Sequence, residues 1–262
     1  TSKGYIEPDT LSKAITNETR LVSIMFANNE LGTIQPIKEL CHIAHAKGVL
    51  FHTDAVQAIG HMKVDVKELG VNLLSLSGHK FHAPKGIGVL YVKKDTPLQN
   101  LIYGGKQEHG YRPGTENVAG IAGLGQAIAI ATQNLEANMK KMKYLRNLLQ
   151  NTLRENIPTM IINGDVNHRL PNILNVSFKG IAGATMVTLL DLEGISISSG
   201  SACNASAFAI PSRVLKAMGR TEKEAEESIR FSLSSETTED EILYTIEKVI
   251  HIVNNTQGEL IY

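Results

Sequence analysis

The feature that most constrains this chain is a series of short apolar runs separated by helical stretches. Leu21–Ala27 (LVSIMFA) is suited to a buried strand, Pro36 opens a helical stretch that Gly48 ends, and Val49–Thr53 is a second strand. Asp65–Leu69 reads as a short helical turn, Val71–Leu76 as a third strand, and Ile87–Val92 as a fourth that follows a Pro/Gly turn. Strands alternating with helices imply an α/β architecture with a largely parallel sheet, whose functional groups gather at the carboxyl ends of the strands. The residues just after Ala27, Thr53 and Leu76 therefore carry the most interest. From Thr96 to Thr115 the chain is rich in Gly and polar residues, as in a functional loop, and from about Asn117 to Asn156 it reads as one long helix that bridges two domains. Strands near Met160–Asn163, Ile173–Phe178 and Ile195–Ser198 then alternate with helices near Ala184–Leu192, Glu222–Glu227 and Glu239–Val253. The expected division is a large domain over 1–135 and a smaller α/β domain over 136–262.

Composition removes several classes of function. The 262 residues are 42% hydrophobic, enough for a sizeable core, and 26 basic residues balance 26 acidic ones, so no net field draws the chain to nucleic acid or an anionic membrane. The two cysteines, Cys41 and Cys203, are too few for a disulfide framework, and no apolar run approaches the ~18 residues of a spanning helix. A reducing compartment is expected, the cytoplasm by default, with an organelle matrix left open. His42 and His45 share a helix face, yet neither Cys-x-x-Cys nor His-Glu-x-x-His occurs, so no metal site is expected. The chain opens on Thr1 and reaches its first apolar strand only at Leu21, which raises the expectation of a missing upstream piece.

Reactive groups cluster where the strands end. Ser77-Gly78-His79-Lys80 follows the third strand and presents an amine, an imidazole and a hydroxyl together. A neutral lysine amine condenses with an aldehyde cofactor, whereas an isolated lysine is ordinarily a solvated surface residue. Asp54, after the second strand, suits either the N-cap of a following helix or a partner for a protonated ring nitrogen. Asn28-Asn29-Glu30-Leu31-Gly32 after the first strand has the composition of a turn. Cys203 sits among small residues (SSGSACNAS) that leave its thiol unshielded, while Cys41 lies between Leu40 and Ile43 and reads as buried and structural. Arg230 is a lone cation in an expected strand, suited to gripping a carboxylate or to an ordinary salt bridge.

Six segments, in order, resemble the cysteine desulfurases of the NifS/IscS type: Ala27–Gly32, His52–Gln57, Ser77–Phe81, Arg112–Asn117, Ser198–Cys203 and Ile229–Ser232. The resemblance implies a pyridoxal-phosphate (PLP) transferase of fold type I, aspartate aminotransferase-like, with a mostly parallel large domain and a smaller C-terminal α/β domain. It implies that Lys80 bonds PLP covalently, Asp54 pairs with the pyridine nitrogen, Gln57 contacts the phenolic oxygen, and Ser77 and His79 hold the phosphate. Thr115 resembles the residue that reaches the phosphate in the neighbouring subunit, which implies a homodimer. Asn29 and Arg230 resemble the pair that binds the carboxylate of L-cysteine, and Cys203 the mobile nucleophile that takes the sulfur as a persulfide. An iron-sulfur scaffold or another sulfur acceptor is the implied partner.

The family also carries an N-terminal phosphate-binding loop and a histidine that stacks on the ring, and neither is found ahead of Leu21. The chain is therefore expected to be a truncated or processed piece that binds PLP poorly on its own. Two other readings share the same residues: a selenocysteine lyase or other PLP-dependent lyase, and a catalytically silent fragment that serves in dimerisation or docking.

Overall fold

In the structure, a computed structural model, residues 1–199 and 211–258 are described. They fall into two compact units. One comprises Pro8–Phe26 and Pro36–Leu135; the other comprises Thr1–Glu7, Ala27–Gln35 and the described part of Glu136–Tyr262.

The first unit contains helix α1 (Pro8–Ala14), strand β1 (Leu21–Met25), α2 (Ile37–Ala46), β2 (Leu50–Asp54), α3 (Val66–Leu69), β3 (Leu73–Ser77), β4 (Gly88–Val92) and α4 (Val118–Gln133). Its sheet has the order β1-β2-β3-β4; β1, β2 and β3 run parallel and β4 returns antiparallel to β3. Crossovers follow the expected logic: α2 connects β1 to β2 and buries Ile37, Leu40, Cys41 and Ala44, an i, i+3, i+4, i+7 stripe. The short α3 connects β2 to β3, capped by Asp65, which accepts from the backbone N–H of Lys67 and Glu68. Phe51 is fully buried in β2, and full burial of such a side chain contributes about 1.5–3 kcal/mol.

The second unit contains α5 (Leu135–Asn156), β5 (Met160–Ile162), β6 (Ile173–Phe178), α6 (Gly183–Leu192), α7 (Arg213–Ala217), α8 (Glu222–Glu226), β7 (Ser228–Ser232) and α9 (Glu239–Gly258). Its antiparallel sheet has the order β5-β6-β7, with β6 buried along its whole length. Leu145, Leu149 and Leu153 of α5, Met186 and Leu190 of α6, and Ile246, Val249 and Val253 of α9 pack with the sheet in one core. Segment 27–35 belongs here through backbone bonds: Leu170 N–H to Gly32 O (2.9 Å) and Ile34 N–H to His168 O (3.0 Å). Gly32 has φ +76, and a Cβ there would stand 3.1 Å from Ile173 Cβ, so the turn tolerates no larger residue without a shift.

Two expectations need correction. The single helix over 117–156 is two helices that break at Asn134, whose backbone N–H turns back to Ile130 O and Thr132 O. The neighbouring Thr132 hydroxyl also donates to Ile128 O, a side-chain bond of the kind that bends helices. The strand over Ile195–Ser198 does not form. Gly194 and Ile195 are used to close α6, donating to Asp191 O and Leu190 O, and among the described residues only Ser198 of this segment pairs, in an isolated bridge with Arg230. Among the described residues no single helix is long and apolar enough to cross a membrane.

Candidate active site

At the carboxyl end of the parallel strands, Asp54 closes β2 level with Met25 of β1 and Ser75 of β3. Its backbone oxygen accepts from Phe26 N–H (2.7 Å), and its side-chain Oδ1 accepts from Val56 N–H (2.9 Å). No helix follows Asp54, so the helix N-cap reading is corrected: this carboxylate holds the turn 55–60 instead. Gln57 sits half-buried in that turn.

Alternation along β2 buries Phe51 and Thr53 on one face and leaves His52 and Asp54 half-buried on the other. The His52 ring spans three strands: Nδ1 lies 2.7 Å from Ser23 Oγ on β1 and Nε2 lies 3.1 Å from Ser75 Oγ on β3. Burial pushes the His52 pKa below its ordinary 6.5, against the pull of the Asp54 charge. A neutral imidazole with one nitrogen donating and the other accepting satisfies both hydroxyls. Sequence reasoning singled out Asp54 and passed over His52, although the period of two in a strand puts residues 52 and 54 on one face.

One residue beyond β3 the chain enters a single 3₁₀ turn, Gly78–Phe81, that carries His79 and Lys80, both exposed. Gly78 seats the turn. A Cβ at Gly78 would come within 2.8 Å of Leu124 Cδ1 and 2.9 Å of Ala83 Cβ, so α4 packs directly on its backbone. Gly78 N–H donates to Ile87 O and its carbonyl accepts from Ala83 N–H, fixing both ends of the loop that feeds β4. Ser77 is half-buried at the entry to the turn and makes no side-chain cap bond. Ser77, His79 and Lys80 thus stand at the same edge of the sheet as Asp54 and Gln57. Thr115 lies exposed in the segment before α4, its carbonyl accepting from Arg112 Nη1 (3.2 Å).

In the second unit, Arg230 on β7 and Asn29 are brought together: Arg230 Nη1 donates to Asn29 O (2.8 Å) and Nη2 to Ser198 Oγ (3.3 Å). Asn28 builds the turn foreseen for this segment, its Oδ1 accepting from Glu30 and Leu31 N–H, both at 2.9 Å. Behind it stands an unforeseen buried polar network. Asn175 of β6 donates to Glu30 O (3.2 Å), and Asn163 Nδ2 donates to Asn175 Oδ1 and Ser177 Oγ, both at 2.9 Å. The Ser212 hydroxyl donates to Glu30 Oε2 and accepts from Leu215 N–H (3.1 Å), tying the start of α7 to the same turn. Cys203 lies outside the described residues. Cys41 is buried with its pKa raised by burial, as a structural thiol should be.

Residues 1–244 match the aminotransferase class-V family. A cysteine desulfurase IscS of Clostridium botulinum is 48% identical over 253 residues, 96% of this chain and 64% of that protein. A NifS-like protein of Rickettsia africae has a solved structure that superposes with a TM-score of 0.89 at 33% identity, covering 97% of this chain and 68% of that one. SspA, solved in complex with cysteine, superposes at 0.71 with 35% identity over 91% of this chain and 65% of that one. The chain thus spans about 64% of the length of the curated relatives that it matches. By the family match over residues 1–244 and these likenesses in sequence and fold, the chain belongs to the aminotransferase class-V family, among its NifS-like members.

Proposed function

We propose that this chain carries the cofactor lysine and the sulfur-accepting cysteine of a PLP-dependent cysteine desulfurase, which converts L-cysteine to L-alanine and leaves the sulfur as a persulfide on Cys203. The single observation that carries the reading is the placement of Lys80 and Asp54 at one carboxyl edge, following neighbouring parallel strands. PLP has an aldehyde, a basic ring nitrogen and a phosphate; that edge offers an amine, a carboxylate, and a hydroxyl beside an imidazole, so the donor set fits. When bound, the cofactor supplies an electron sink for bond breaking at the substrate Cα.

The roles of the chain's own residues follow. The bond from Val56 N–H orients the Asp54 carboxylate in advance, leaving it to hold its charge toward the ring nitrogen, with Gln57 on the same turn directed to the phenolic oxygen. Ser77 and His79 hold the phosphate, and Thr115 reaches the phosphate in the other subunit of a homodimer. Arg230, steadied by Asn29 O and Ser198 Oγ, grips the substrate carboxylate together with Asn29. The Cys203 thiolate takes the sulfur: the substrate C–S bond breaks, an S–S bond forms, and a proton ends on the carbon of the departing alanine. The relatives named IscS and the cysteine bound to SspA support cysteine as substrate. The persulfide then passes to an iron-sulfur scaffold or another sulfur acceptor in a reducing compartment.

The test is borohydride reduction of the chain at saturating PLP, followed by peptide mapping. The expected result is one phosphopyridoxyl group, on Lys80, absent in Lys80→Ala and retained in Cys203→Ala, with persulfide formed from cysteine only when Cys203 is present. Labelling spread over several lysines, or full persulfide formation in Cys203→Ala, would overturn the reading.

A further inference from the structure

Within the second unit, a groove of about 700 Å³ runs along α5 beside the β5–β6 connection. Lys140, Lys143, Arg146, Arg154 and Arg169 line it, with Glu136 as the acid among its lining residues. Arg146 and Arg169 are only 4% and 8% exposed, while the two lysines and Arg154 are exposed at the rim. Arg146 is held by neutral oxygens, Nη1 donating to Leu170 O (2.7 Å) and Nη2 to Asn147 Oδ1 (2.8 Å). Arg169 Nη2 donates to Gln150 Oε1, and its Nε and Nη1 have no hydrogen-bond partner among the described residues.

Asp165 is close enough to act on Arg169 but is engaged elsewhere. Its Oδ1 accepts from Asn167 and His168 N–H (2.8 and 3.1 Å), and its Oδ2 lies 3.7 Å from His168 Nδ1. Burial, with the nearby Arg146 charge, pushes the Arg169 pKa down to about 10, so the guanidinium still carries its proton near neutral pH. Two neighbouring guanidinium charges withdrawn from water with no carboxylate hydrogen-bonded to either among the described residues are a costly arrangement, and a costly buried charge is relieved by a counter-charge.

We propose that this groove is a binding site for a small oxyanion, a carboxylate or a phosphate, set against Arg169 and Arg146 and drawn in by Lys140 and Lys143. The site lies on residues that the proposed cysteine chemistry does not use, and it stands whether or not that chemistry does.

The test is calorimetric titration of the chain at constant ionic strength with inorganic phosphate, succinate and N-acetyl-aspartyl amide. Saturable binding of at least one is expected, accompanied by a rise in melting temperature. Preference for phosphate or succinate indicates a free anion, and preference for the aspartyl amide indicates a protein carboxylate. Arg169→Gln should weaken binding about tenfold or more, the loss expected for one charge-assisted hydrogen bond. The paired rim variant Lys140→Ala/Lys143→Ala, at exposed positions that the fold does not need, should weaken binding and flatten its salt dependence. Should Arg169→Gln fail to fold, the rim variant decides alone. Absence of binding by all three probes, or binding that neither variant alters, overturns the proposal.

Discussion

Asn175 offers the sharpest test of how the Asn29–Arg230 pair is held in place. The residue is fully buried on β6, donates to Glu30 O, and accepts from Asn163 Nδ2. Asn175→Ala deprives two buried groups of a partner, the Glu30 carbonyl and one Asn163 N–H. Each such orphan costs about 1–3 kcal/mol, so the variant should lose about 2–6 kcal/mol, a large share of the ~5–15 kcal/mol of a typical domain. Asn163→Ala removes the bonds to Asn175 Oδ1 and Ser177 Oγ and should cost a similar amount. Because the Asn163–Asn175 bond is shared, the double variant should fall short of the sum by about 0.5–3 kcal/mol. Urea unfolding of the four proteins of the cycle, with m-values compared, measures this. Strict additivity, or a loss below ~1 kcal/mol for Asn175→Ala, would refute the claim that one connected network buttresses the turn.

Two further outcomes are expected. His52 and His61 both titrate below the ordinary 6.5 because burial disfavours their charged forms; the stability this confers is complete above about pH 6.5 and is lost as pH falls through their folded values. Melting temperature should therefore drop on acidification below that point, and His52→Asn should reduce the slope; a flat profile from pH 7 to 5 contradicts the assignment. Gly78→Ala forces a methyl against Leu124 and Ala83 and should cost about 1–3 kcal/mol by urea unfolding, partly recovered by adding Leu124→Ala. No cost, or no recovery, would show that α4 does not seat the lysine turn.

Much of this arrangement was legible in the sequence because it rests on periodicity. The runs at Leu21, Val49, Val71 and Ile87 each became a strand, and the residues that end or follow the second and third, Asp54, Gln57, Ser77, His79 and Lys80, stand at one edge of the sheet. What escaped was whatever depends on hydrogen bonds between residues far apart in the chain. The Asn163–Asn175–Glu30 network joins positions up to 145 residues apart, and no local pattern announces it. The break at Asn134 escaped for the opposite reason: apolar spacing continues into a charged amphipathic helix, and only the backbone turn-back ends the first one. Segment 27–35 continues directly from β1 in sequence, yet its backbone partners are Leu170 and His168.

The order of the four-stranded mixed sheet has a practical consequence. Among the described residues its outer strands are β1 and β4, which carry exposed Leu21, Met25, Val89 and Leu90, and neither holds a proline or a lysine that would discourage company. Apolar side chains exposed at the flanks of a sheet are a surface through which separate copies adhere. Handling this chain at high concentration will therefore favour association through these apolar flanks, with a dependence on concentration rather than on charge.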